Sequence, residues 1–293
     1  MDVEPVGQVR IAVPGGTLAA LRFGTGPRIA LAAHGITASG MSFRAVAAQL
    51  PTDWSLVALD LRGRGGSNQL PGPYGMDRHA ADICAAAEQA GGGRPVVLIG
   101  QSMGAYAALR ATATRPELFS RLVLVDGGLP LPVPPDADPD QLLATTLGPA
   151  IARLSDTFAS EQAYLDFFRA HPALAGDWNE HMAAYVRYDA TGPQGAVRSR
   201  TDAVAVAEDG RDLLVNAASF GPDLIGLTVP SVLLYAPRGM FGQEPGMLPE
   251  PLVQHWRAQA PALRTELVGG TNHYTILLTD GPAAAIAKWI TAG

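Results

Sequence analysis

Cysteine is almost missing from this chain of 293 residues: Cys84 stands alone. An intrachain disulfide and a cysteine-rich metal site are thereby excluded. Cys84 falls in an expected helix, Asp77–Gln89, and reads as a small buried thiol. Lysine is as scarce, with Lys288 the one example, and the arginines form no basic run. At a formal net charge of −6 the chain offers little to a nucleic-acid polyanion. Charged residues make up only 16% against 47% hydrophobic, so a large core is available and disorder is not expected. No apolar run approaches membrane-spanning length. Met1–Pro5 carries neither the basic nor the apolar part of a signal peptide, so a cytoplasmic protein without a membrane partner is the default expectation. No His, Asp and Glu cluster has metal-ligand spacing, so no metal is expected.

Short apolar runs recur at intervals filled by helices. Gln8–Val13 and Leu18–Phe23 flank a Pro-Gly-Gly turn and read as a hairpin. Strands are expected at Arg28–Ala33, Leu56–Leu59, Val96–Ile99 and Leu122–Val125, and helices at Phe43–Leu50, Asp77–Gln89 and Met103–Thr114. This alternation predicts an α/β fold with a mostly parallel sheet covered by helices on both faces, its active site at the carboxyl ends of the strands. The pattern breaks at the Pro-rich stretch Leu129–Pro139 and stays helical, with no convincing strand, to about Leu227. It resumes with strands Val232–Tyr235 and Leu263–Val268 and a last helix from Pro282 through Ile290. The expected organisation is therefore a core of residues 1–128 and 228–293 with a helical cap, residues 129–227, inserted between two late strands. The cap aromatics Tyr164, Phe168, Trp178 and Tyr185 are candidates for a substrate pocket, although a small cap core would use the same residues.

Residues 100–104 read Gly-Gln-Ser-Met-Gly, directly after an apolar strand and directly before a small-residue helix. That is G-x-S-x-G in the strand–turn–helix setting it requires, which presents Ser102 at a helix N-terminus where developing negative charge is favoured. A serine hydroxyl needs a base. Of six histidines, His273 alone combines a loop just past the last strand with a late position in the chain; the other five read as structural. The base needs an acid to fix its tautomer. Asp126 ends the strand Leu122–Val125, whereas the loop after Val232–Tyr235 holds no Asp, only Glu244. Asp126 is the preferred candidate and Glu244 the alternative. The backbone N–H groups of Met103 and Ile36 are candidates for an oxyanion hole. The Arg62–Ser67 segment lacks the Lys-Ser/Thr of a phosphate loop and reads as a structural turn.

Taken together, His34-Gly35, the Asp60–Ser67 loop, Gly100–Gly104, Leu122–Asp126 and Asn272-His273-Tyr274 resemble the α/β-hydrolase superfamily across almost the whole chain. The resemblance implies a serine hydrolase with a Ser–acid–His triad and no cofactor. Many members carry the acid after the strand matching Val232–Tyr235, and here this sequence departs. Members acting on zearalenone-type macrolactones carry it at the place of Asp126, and the chain is similar to them in that respect. The expected function is cleavage of a carboxylic ester or lactone of a bulky, mainly apolar small molecule. Hydrolysis of a thioester or C–C bond, or a non-turnover receptor for a small molecule, are the alternatives.

Overall fold

Runs of branched apolar residues become the strands. The computed structural model describes residues 3–134 and 136–292, so Met1, Asp2, Pro135 and Gly293 lie outside the described residues. In chain order the strands are β1 (Gly7–Val13), β2 (Gly16–Phe23), β3 (Arg28–Ala33), β4 (Trp54–Asp60), β5 (Val96–Gln101), β6 (Phe119–Val125), β7 (Ala190–Thr191), β8 (Arg198–Ser199), β9 (Ser231–Tyr235) and β10 (Leu263–Leu267). Eight of them form one sheet in the order β1-β2-β4-β3-β5-β6-β9-β10. The β1–β2 hairpin joins β4 antiparallel, and all pairings from β4 through β10 are parallel. β4 and β5 are buried along their whole length, which is why their sequences do not alternate.

The helices are α1 (Arg44–Ala48), α2 (Met76–Gly91), α3 (Met103–Thr114), α4 (Pro139–Arg153), α5 (Glu161–Arg169), α6 (Glu180–Asp189), α7 (Ala203–Val215), α8 (Phe220–Ile225), α9 (Glu250–Gln259), α10 (Thr275–Leu278) and α11 (Asp280–Thr291). The expected helix Phe43–Leu50 is shorter and begins as a 3₁₀ turn, Gly40–Phe43, before α1. One apolar layer packs α2, α3, α8 and α9 on one sheet face through residues such as Ile83, Leu109, Phe220 and Val253. The other packs α1, α10 and α11 through Val46, Ile276, Ile286 and Ile290.

Between β6 and β9 the chain forms α4 to α8 and a small core of its own around Tyr164, Leu165, Ala183, Val186 and Val197. Side-chain caps start α4 to α7: Asp138 accepts from Asp140 N–H, Ser160 from Ala163 N–H, Asn179 from His181 N–H and Asp202 from Val204 N–H. The expectation of no strand here is corrected by the antiparallel β7–β8 pair. Two residues per strand are too few for a period of two to be read.

Buried polar links tie this insertion to the sheet. Asp209 of α7 accepts from Arg64 Nη1 and from His79 Nε2, the latter at 2.9 Å, with all three side chains fully buried. It also accepts from Gly75 N–H at 2.6 Å. Burial works against the Asp209 charge, yet His79, Arg64 and Gly75 hold its carboxyl down at about 2. Tyr188 of α6 donates to Asp60 Oδ2 at 2.5 Å, and Asp60 also accepts from Gly40 and Gly66 N–H. Arg62 is fully buried against Asp82 of α2. The segment after β4 is therefore held by its side chains as a structural turn.

Candidate active site

The site grows from the end of β5. Ser102 sits between β5 and α3 at φ 54° and ψ −122°, a conformation that L-residues adopt rarely. The surrounding glycines permit it. A Cβ on Gly100 would lie 2.3 Å from Gly104 O, and one on Gly104 would lie 2.1 Å from Ala33 O. The turn therefore closes only with glycine at both places.

Two neighbouring loops deliver the partners. Asp126 follows β6, also at positive φ (46°). Its Oδ1 accepts from Ala236 N–H at 3.1 Å. Its Oδ2 accepts from His273 Nδ1–H at 2.6 Å. His273 Nε2 then accepts from Ser102 Oγ–H at 3.0 Å. The carboxylate is sealed from solvent and the imidazole nearly so. Thus Ser102, His273 and Asp126 form one hydrogen-bonded line, whereas Glu244 is exposed in the loop after β9 and takes no part in it. A hydroxyl paired with an imidazole that is itself oriented by a buried carboxylate is suited to nucleophilic attack.

Two residues of this neighbourhood were quoted in the sequence motifs but given no role there. Asn272 Oδ1 accepts from Tyr274 and Thr275 N–H, and its Nδ2 donates to Ala173 O at 2.8 Å, which fixes the His273 loop against the insertion. Gln101 donates from Nε2 to His273 O at 3.3 Å. Their signal was adjacency to His273 and Ser102.

His34, read as structural, is fully buried. Its Nδ1–H donates to Gly35 O at 2.7 Å and its Nε2 accepts from Leu61 N–H at 3.0 Å. Burial pushes its pKa down to about 3, with Arg64 and His79 adding to the effect. The folded protein thus refuses a proton that the unfolded chain accepts near 6.5, so stability is full above that pH and declines as pH falls toward 3. Urea unfolding should show His34 removing about 2 kcal/mol between pH 7 and pH 5. His34→Asn should flatten that part of the slope; an unchanged slope would refute the assignment.

Above Ser102 lies a cavity of about 180 Å³. Ile36, Met103 and Gln101 line it beside Ser102 and His273. The loop bearing Ile36 is held by Arg64, whose Nε–H donates to Ile36 O at 2.9 Å. The walls are apolar, with Leu143 and Leu147 from α4, Leu213 from α7, and Met247 and Leu248 from the loop before α9. Among its described lining residues none is Arg or Lys. Of the four aromatic pocket candidates only Tyr185 lines this cavity. Tyr164 is fully buried in the insertion's own core, and Phe168 and Trp178 pack against that core, so these three are corrected. An insertion with so little sheet needs its aromatic mass for its own interior. The residues that line the cavity instead, Leu143, Thr146, Leu147 and Ala150, fall at i, i+3, i+4 and i+7 on α4, a helical-face signal present in the sequence. Among the described residues no group of three or more His, Cys, Asp or Glu could hold a metal ion, and no helix is long and apolar enough to cross a membrane.

A lipase of Mycobacterium tuberculosis is 32% identical over 177 residues, 56% of this chain and 61% of that protein. N-formylmaleamate deformylase of Pseudomonas putida is 41% identical over 107 residues, 36% of this chain and 40% of that enzyme. The chain thus spans less than two thirds of the length of these curated relatives. Among solved structures, E-2-(acetamidomethylene)succinate hydrolase superposes with a TM-score of 0.78 at 20% identity, over 98% of this chain and 99% of its own, a likeness of fold. The sequence model of the alpha/beta hydrolase fold matches residues 31–207, more than half of the chain. With that match and the strand order that accompanies it, the chain belongs to the α/β-hydrolase family.

Proposed function

We propose that this chain is a serine hydrolase that cleaves a carboxylic ester or lactone of a neutral, mainly apolar small molecule. One observation carries the reading: His273 stands 3.0 Å from Ser102 Oγ and 2.6 Å from Asp126 at the foot of an apolar cavity. In the proposed reaction His273 Nε2 takes the Ser102 proton as Oγ attacks the carbonyl carbon. The N–H groups of Met103 and Ile36 receive the oxyanion. His273 passes its proton to the leaving oxygen, and the acyl-enzyme forms. Water then attacks the acyl group, again deprotonated by His273, and Oγ leaves with the proton. Asp126 keeps Nδ1 protonated and steadies the imidazolium throughout.

The wall chemistry supports an uncharged substrate. Two related hydrolases carry the names of carboxylate substrates, a maleamate and a succinate. A carboxylate favours Arg or Lys partners, and none lines this cavity among the described residues. The cavity's size also favours a compact body of one or two rings, since a dry engineered cavity of roughly 150 Å³ holds benzene.

The test holds the leaving group constant. We expect kcat/KM for p-nitrophenyl 4-phenylbutanoate to exceed that for the acetate and for the palmitate by about tenfold each, from added apolar burial in one case and excess length in the other. Dihydrocoumarin should be opened as well. A preference for the palmitate or for a small charged ester refutes the substrate reading. Absence of turnover on the whole panel refutes the esterase reading and favours a receptor.

A further inference from the structure

The chain has seven tyrosines, and five of their hydroxyls are engaged. Tyr74 donates to Asp202, Tyr106 to Leu129 O, Tyr164 to Asp189, Tyr188 to Asp60 and Tyr235 to Glu250. The remaining two are Tyr185, on α6, and Tyr274, directly after His273. Both line the cavity over Ser102. Among the described residues neither hydroxyl has a hydrogen-bond partner. Both retain accessible surface and are not sealed in as orphans. Two other hydroxyls of the same lining are satisfied internally, Ser42 donating to Ser39 O and Thr146 to Leu142 O, while that of Thr37 has no partner among the described residues. Polar groups in apolar surroundings are bonded as a rule, and an exception calls for a partner from outside the chain.

Burial pushes both phenols above the ordinary tyrosine range; Asp189 and, less, Tyr274 add to the rise at Tyr185, while Arg153, outside the lining, offsets part of it at both. Both groups are therefore protonated donors across the physiological range. Without Arg or Lys in the lining, they suit a neutral oxygen better than a carboxylate. The scissile carbonyl oxygen is already provided for by the Ile36 and Met103 side of the site.

We propose that Tyr185 and Tyr274 are specificity-determining residues that donate hydrogen bonds to a second, neutral carbonyl oxygen on the substrate body. This rests on the hydrolase reading for the placement of the scissile bond. It narrows the substrate class to apolar esters or lactones carrying a ketone or similar acceptor. A body without that oxygen leaves two hydroxyls desolvated and unpaired, which is the stronger part of the discrimination.

The experiment compares p-nitrophenyl octanoate with four derivatives bearing a keto group on successive carbons from the fourth to the seventh. For at least one position, kcat/KM should exceed that of the parent ester by about tenfold. In the double variant Tyr185→Phe/Tyr274→Phe that ratio should fall close to one, and each single variant should lower it by about threefold or more. Equilibrium dialysis of the same esters against Ser102→Ala, with and without the two Tyr→Phe changes, should give the same ordering of dissociation constants. A ratio near one at every keto position in the native chain, or a preference that survives in the double variant, overturns the proposal. If the native chain turns over none of these esters, the dialysis still decides, so a failure of the hydrolase reading is separable from a failure of this one.

Discussion

Ser102→Ala is expected to lower kcat on any accepted ester by at least about a thousandfold while the protein stays folded. The size follows from what the hydroxyl does. In the proposed reaction its Oγ is the attacking atom, and among the described residues its side-chain hydrogen bond is to His273. Removing it leaves an imidazole with nothing to deprotonate except water that the cavity does not position. The fold should survive because Oγ caps no helix. Alanine inherits the positive φ without a new clash. A thermal midpoint close to that of the native chain would confirm that the loss is chemical. Because nucleophile and base act as a unit, Ser102→Ala/His273→Ala should be hardly slower than either single variant. Independent, multiplying losses, or a folded Ser102→Ala that turns over at the native rate, would defeat the assignment.

Asp126→Asn should cost at least about a hundredfold in kcat, with a smaller change in KM. The carboxylate Oδ2 accepts the Nδ1 proton of His273 at 2.6 Å. With Asn there, Oδ1 remains the natural acceptor for Ala236 N–H. The amide then turns its NH₂ toward His273. The histidine answers by carrying its proton on Nε2, where it can no longer accept from Ser102. The same substitution removes the negative charge that steadies the imidazolium. Glu244→Gln, on an exposed loop, should stay within about twofold of native activity, as most surface changes do. The reverse pattern, with Glu244→Gln crippled and Asp126→Asn active, would make Asp126 a strand-end cap and Glu244 the acid.

Much of this was legible because it is local. Val96–Ile99 is continuously apolar and ends in the Gly100–Gly104 turn, so strand, turn and helix announce themselves within fifteen residues or so. Asp126, whose carboxylate meets His273 in the structure, was preferred by contrast, since the competing loop after β9 offered only Glu244. Three things were not legible. The bond between Arg64 and Asp209 joins residues 145 apart, and nothing local marks either one as half of a buried pair. The β7–β8 ladder is too short to carry a period. Above all, apolar and aromatic residues in the insertion serve two interiors at once. Tyr164 and Tyr185 look alike in sequence, yet one fills the insertion's core while the other faces the cavity. Periodicity reports that a helical face is buried without saying against what.

The insertion divides its labour in a way that bears on how such a protein acquires new substrates. Asp209 and Tyr188 hold it down, and neither lines the cavity. On α4 the cavity is met by Leu143, Thr146, Leu147 and Ala150, none of which takes part in the buried ion network. Inheritance can therefore act on the two sets separately. A lineage drifting at these four α4 positions redraws the space above Ser102 while the Arg64–Asp209–His79 anchor keeps each descendant foldable. That short helical stripe is where relatives of this chain would part company in diet while remaining alike in skeleton.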